Sequence, residues 1–210
     1  MGLYLPLHYV FSSRDHDVCH TVVYVSMADD PNWYCDVAKD NDLHRSYHDI
    51  EYGFPGKDES QLFELLCLEI FQAGLSWELV LKKRQSTFEA FSRFEVDTVA
   101  AFGENDIKRL LDNAGIIRNQ LKVRSIVHNA CVIQDLRKTH GGFAKWLETH
   151  HPLAHSDWVK AFKKTFKFTG PEVVNEFLMS TGYLKGAHRE NCPVYKKIAK
   201  TNPPWMQVET

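Results

Sequence analysis

Between Asp58 and Gly74 the chain carries Leu62, Phe63, Leu65, Leu66, Leu68 and Phe71, with Cys67 and Glu69 among them. A helix that is apolar on nearly every face cannot lie on a surface. This segment is therefore predicted to be a largely buried helix ending at Gly74. Trp77, Leu79, Val80 and Leu81 predict a second helix closing in Lys82-Lys83-Arg84. A short helix is expected from Val96 to Phe102, and another through Leu110 and Leu111, with Asn105 or Asp106 as N-cap. After Gly115 a longer helix runs from about Asn119 to Thr139 and stops at Gly141-Gly142. A further one covers Glu172 to Ser180. The one alternating run, Thr21 to Val25, lies near the start. The predicted class is all-α, without repeats or low-complexity segments.

A chain of 210 residues fits one large domain or two small intimate lobes. Its 44% apolar and 12% aromatic content excludes global disorder. The net charge of -2 gives no global nucleic-acid signature, so a polyanion must meet a local basic face. Five cysteines, an odd and scattered set, argue against a disulfide scaffold and for a reducing cytoplasm. Cys67 and Cys131 are expected to be core thiols. No stretch approaches the roughly 20 apolar residues that span a bilayer. Residues 1–30 read as an extension outside the fold, with Met27 a possible start, and residues 31–210 as a single domain of two intimate helical lobes.

Two features carry chemistry. Cys35 and His48 near the start, and His188 and Cys192 near the end, make a full tetrahedral set for zinc; the alternative is two unrelated thiols and two incidental histidines among eleven. Leu110 to Asn119 reads as a helix, a tight turn with Gly115, two core-plugging Ile residues (Ile116, Ile117), then Arg118 at the next helix start. This helix-hairpin-helix pattern exposes backbone N–H groups that could hold a phosphate. Arg118, Lys122 and Arg124 would add charge beside it. The alternative is an ordinary helix–helix turn with a solvated basic face.

Taken together, the segments resemble the 3-methyladenine DNA glycosylase I family, zinc-containing helix-hairpin-helix glycosylases, over residues 33–192. Tyr47-His48-Asp49 with Glu51, Gly53 and Pro55, then Leu62-Phe63-Glu64, carry the likeness. So do Cys67-Leu68-Glu69 through Gln72-Ala73-Gly74-Leu75-Ser76-Trp77, Ala114-Gly115-Ile116-Ile117-Arg118 and Phe166-Lys167-Phe168-Thr169-Gly170. The resemblance implies one structural zinc on Cys35, His48, His188 and Cys192, joining the two ends of the domain. It implies an enzyme that flips a damaged base from duplex DNA and hydrolyses its glycosidic bond without strand cleavage. Tyr47 and Trp77 match the stacking residues, and Glu69 the pocket carboxylate that orients the base. Leu75 is the expected wedge; Gly115, Ile117 and Arg118 are expected at the backbone. Lys82, Lys83 and Arg84 are read either as phosphate contacts or as a charged helix end, and Asp135 as a solvated residue.

Val37, His44 and Tyr52 depart from the family's usual Trp, Tyr and Trp, which places the exact lesion in question. The same fold acting on another lesion, a non-catalytic lesion-binding module and a hydrolase with catalytic zinc are the rival readings. A bacterial, cytoplasmic monomer acting on alkylated duplex DNA, with no membrane and no obligate protein partner, is the expectation.

Overall fold

The computed structural model describes residues 33–207. The expected extension, Met27 and the Thr21–Val25 run all lie outside them. Among the described residues there are eleven α-helices and no strand: α1 Tyr34–Lys39, α2 Asp42–Ile50, α3 Glu59–Gln72, α4 Trp77–Ala90, α5 Val96–Ala100, α6 Glu104–Asp112, α7 Gln120–His140, α8 Phe143–His150, α9 His155–Thr165, α10 Pro171–Ser180 and α11 Pro193–Ala199. The all-α class holds.

Helix α3 is the axle. Every residue from Leu62 to Phe71 is buried, and α4, α7, α8 and α10 pack around it. Burying each large apolar side chain contributes about 1.5–3 kcal/mol, so a helix with no solvated face is held by its neighbours rather than by propensity. Its start is set by a capping box: Gln61 N–H donates to Asp58 Oδ1 at 2.8 Å, and Asp58 N–H to Gln61 Oε1 at 2.9 Å.

The structure corrects several local expectations. Helix α4 does not close at Arg84 but continues to Ala90, because those charges form one face of a helix whose other face stays buried through Thr87 and Ala90. The N-cap of α6 is Gly103; Asp106 instead accepts the Gly103 N–H at 3.1 Å. Cys131 is exposed rather than a core thiol, while Cys67 is buried as expected. Helices α1, α2, α8, α9 and α11 add to the predicted set.

One glycine brings the two ends of the chain together. A Cβ on Gly53 would lie 2.8 Å from Ala187 Cβ and 2.9 Å from Ile198 Cδ1, and its φ is +84°. Its N–H donates to the Ser180 carbonyl at 3.0 Å. Only glycine combines that left-handed backbone with so close an approach. The segment after α2 can therefore lie directly on the end of α10 and on the chain leading to α11.

Candidate active site

The buried α3 carries one carboxylate into the interior. Glu69 is 3% exposed, and it has neither a cation nor a hydrogen-bond partner among the described residues. Aromatic rings from two flanking helices and the turn after α2 stand around it. Tyr47 of α2 meets Trp77 of α4 at 5.1 Å between ring centroids, and Tyr52 at 5.6 Å. The Trp77 ring is placed by the α3–α4 turn, where Gly74 has φ +80° and Ser76 caps α4 through the Leu79 N–H at 3.3 Å. Burial first, then the Glu69 charge, pushes the Tyr47 phenol well above its ordinary pKa. Burial, with the Glu176 charge second, pushes Glu69 well above the usual carboxylate range.

Two residues of this group were not anticipated. Tyr34 of α1 stands edge-on to Tyr52 at 5.3 Å and to His44 at 5.7 Å. It completes the aromatic wall in the helix where Val37 replaces the expected Trp. His44 also turns inward, 1% exposed, so that departure keeps a ring in the wall. Glu176 of α10 accepts the Tyr52 hydroxyl at 3.0 Å. A sequence signal existed for Tyr34: it stands one residue before Cys35, as Tyr47 stands one before His48. For Glu176 the signal was a lone Glu between Val173-Val174 and Phe177-Leu178.

Burial raises the Glu176 carboxyl to about 7, against the lowering donors Tyr52 and Asn175. A raised acid keeps its proton in the folded state, so its contribution to stability is full below the ordinary value of 4.5 and is lost as pH rises through about 7. Glu176→Gln removes this loss. Thermal unfolding is thus expected to show the variant gaining on the wild type between pH 5 and pH 8; a constant difference would contradict the assignment.

The four cysteine and histidine residues from the chain ends converge beside the rings, their ligand atoms within 4.8 Å of one another. Cys192 Sγ lies 3.7 Å from His188 Nδ1 and 3.9 Å from His48 Nε2, and Cys35 Sγ lies 3.8 Å from His188 Nδ1. Tetrahedral zinc with ordinary Zn–S and Zn–N lengths places S and N about 3.6 Å apart. The outer nitrogens fix the tautomers. His188 Nε2 donates to the Tyr52 carbonyl at 2.8 Å, and His48 Nδ1 lies 2.7 Å from Asp49 Oδ1. Both inner nitrogens then present lone pairs to one point, the arrangement that orients imidazole ligands on a metal. This donor set fits a zinc ion.

The cluster and the ring wall are one unit. Tyr34 and Tyr47 precede ligands directly, and the Tyr52 carbonyl holds a third ligand.

The basic residues divide differently from expectation. Arg84 does not reach outward: it grips both oxygens of Glu51 at 2.8 and 2.7 Å and Glu64 Oε1 at 2.8 Å, with its guanidinium 5.8 Å from the Tyr47 ring. Lys83 donates to the Ala114 carbonyl at 2.7 Å, and Lys82 pairs with Glu78. Lys122 is buried, its ammonium donating to the carbonyls of Phe71 at 2.9 Å and Ala73 at 2.6 Å, where it caps the end of α3. Arg124 pairs with Glu104, and Asp135 is solvated as expected. Between α6 and α7, Ile116 and Ile117 are buried and Arg118 is exposed. The Gly115 N–H is taken by Asn113 Oδ1 at 2.8 Å; those of Ile117 and Arg118 have no partner among the described residues. Leu75 is 39% exposed at the turn before Trp77.

An all-helical domain that surrounds a buried carboxylate with aromatic rings, and that also carries a surface turn with free N–H groups, has features a base-excising DNA enzyme needs. Residues 37–160 match the family described as methyladenine glycosylase. The chain is 35% identical over 180 residues to DNA-3-methyladenine glycosylase 1 of Escherichia coli (strain K12), covering 77% of this chain and 96% of that protein. It is 33% identical over 178 residues to the DNA-3-methyladenine glycosylase of Haemophilus influenzae, covering 76% of this chain and 96% of that one. A solved structure of 3-methyladenine DNA glycosylase I from Staphylococcus aureus superposes with a TM-score of 0.69 at 31% identity, over 77% of this chain and 95% of that one. This chain belongs to the methyladenine glycosylase family and is an N-glycosidic hydrolase.

Proposed function

We propose that this protein excises 3-methyladenine from DNA, as the names of its relatives state for them. The observation that carries the reading is Glu69, buried without a cation inside a ring of Tyr47, Tyr52 and Trp77. A purine alkylated at N3 is a cation in the nucleotide. Each ring face contributes about 0.5–2 kcal/mol to holding such a group, and a carboxylate accepts from its amino edge. An entering cation also returns Glu69 to its ionised form, the form that accepts most strongly.

The reaction follows from that charge. The N9–C1′ bond breaks with its electron pair passing to the base, which leaves neutral. The sugar becomes an oxocarbenium-like cation, water adds at C1′, and one proton is released. Tyr47 and Trp77 hold the ring in place, Glu69 orients it, and the packed wall excludes bulk water. No amine among the described residues pairs with Glu69 to form a Schiff base with the sugar, so strand cleavage is not part of the reading. When bound, zinc supplies a cross-link between α1, α2 and the start of α11, which holds Tyr34, Tyr47 and Tyr52 in register. A single domain from residue 31 onward, acting as a monomer where the cell keeps its DNA, suits this clip. No described helix is long and apolar enough to cross a membrane.

For DNA, we assign the α6–α7 hairpin to one phosphate, through the Ile117 and Arg118 N–H groups and the Arg118 side chain. The Gly115 N–H is already used, so Gly115 serves the shape of the turn. Leu75 is assigned as the wedge at the vacated stack.

The test is base release from methylated duplex DNA, resolved by chromatography. Free 3-methyladenine with unbroken strands is expected. Release of a different adduct alone would favour another lesion, in line with His44 and Tyr52. Binding without any release would reduce the protein to a lesion-binding module.

A further inference from the structure

Glu176 is not needed for the reading above, yet α10 brings its carboxylate to the same wall. The Tyr52 hydroxyl, whose ring lies 5.6 Å from Tyr47, donates to Glu176 Oε2 at 3.0 Å, and Asn175 Nδ2 approaches Oε1 at 3.4 Å. Glu69 lies within electrostatic reach from α3. The ring wall thus has two acidic groups beside it, Glu69 and Glu176, and no cation paired with either among the described residues. Basic groups on neighbouring elements are committed elsewhere: Arg84 to Glu51 and Glu64, Lys57 to the carbonyls of Glu51, Phe54 and Ser180, and Lys122 to those of Phe71 and Ala73. A second observation points to a missing ligand. The Tyr47 hydroxyl, 3% exposed for its residue, is buried without a hydrogen-bond partner. A buried carboxyl (Glu69) and a half-buried one (Glu176) close together without a counter-ion destabilise a domain unless something brings positive charge to them.

We propose that Glu176, held by Tyr52, is a second base-reading carboxylate that makes this pocket select positively charged bases over neutral ones. The proposal rests on reading the ring cage as the base site. Tyr52, which stands where a Trp is usual, then has a purpose: its hydroxyl fixes the orientation of Glu176, which an indole ring in its place could not do with the same geometry. The base loses its charge as N9–C1′ breaks, so this interaction is strongest before the chemistry. Glu176 is expected to govern binding of the lesion, leaving the rate of bond cleavage nearly unchanged.

The experiment compares binding of the 3,9-dimethyladeninium cation with that of neutral 3-methyladenine at pH 8 by calorimetry, using the full chain with its metal. Wild type is expected to prefer the cation by about tenfold or more, and Glu176→Gln to reduce that preference to about threefold or less with the neutral base little affected. Tyr52→Phe, which keeps the ring and removes only the donor, is expected to fall between them. On methylated DNA, Glu176→Gln is expected to raise KM several-fold with kcat nearly unchanged. An unaltered preference in a folded Glu176→Gln protein overturns the proposal while leaving the base site standing. If neither probe binds wild type, the proposal and the base-site reading fall together. A loss of kcat at constant KM would also overturn it.

Discussion

Glu69→Gln is expected to lower kcat/KM for 3-methyladenine release by about ten- to a hundredfold while leaving the protein as stable as the wild type, or more stable. The loss follows from replacing a charged acceptor with a neutral one: hydrogen bonds to charged groups contribute about 1.5–3 kcal/mol. The gain follows from the same environment seen without substrate. Glu69 is 3% exposed with no cation, and burial has already pushed it toward its protonated form. An uncharged isostere fits such a site with less desolvation cost. Steady-state base release and thermal unfolding of the same preparation read the two quantities. Activity and stability falling together would show that Glu69 serves the fold and not the reaction.

Stripping the metal is expected to have the largest effect on stability. The ligands join α1, α2 and α11, which meet the rest of the molecule through few large side chains; α1 buries only Ala38. Structural zinc sites in small peptides supply apparent binding energies of about 10–16 kcal/mol. This domain has its own core around α3, so only part of that falls on folding. A loss of roughly 5 kcal/mol corresponds to about 10–20 °C in Tm for a chain of this size. Base release should disappear with it, because Tyr34, Tyr47 and Tyr52 are each tied to a ligand. Metal analysis is expected to give one zinc per chain, chelation to lower Tm, and added zinc to restore both Tm and activity. A chelated protein that kept its Tm and its base release would remove the clip from the account.

The pocket and the clip differ in what they ask of the chain. A metal clip tolerates change around it provided four ligand atoms and two outer acceptors are kept, and these are present despite Val37, His44 and Tyr52. A recognition pocket responds to each side chain that faces the base. On the proposed reading the departures act on selectivity: Tyr34 and His44 keep rings in the wall despite Val37, and Tyr52 holds Glu176.

Much was decided along the sequence itself. The run from Leu62 to Phe71 leaves no polar face, so it had to be central, and the helices through Trp77, Leu110, Asn119 and Glu172 were visible in their spacing. These are local properties, set by neighbours three and four residues apart. The ligand set and Glu69 were legible too, because thiols, imidazoles and a carboxylate in apolar helix have few ordinary uses. What the sequence could not decide was where each charge and ring finds its partner. Lys122 and Arg84 look like surface cations in the chain, yet one caps α3 and the other lies behind Tyr47. Glu176 and Tyr34 become parts of the site only when α10 and α1 are brought against α2 and α3. Burial and pairing of a charged group depend on residues tens of positions away, and those meet only when the close approach at Gly53 and the cluster of Cys35, His48, His188 and Cys192 bring the two ends of the chain together.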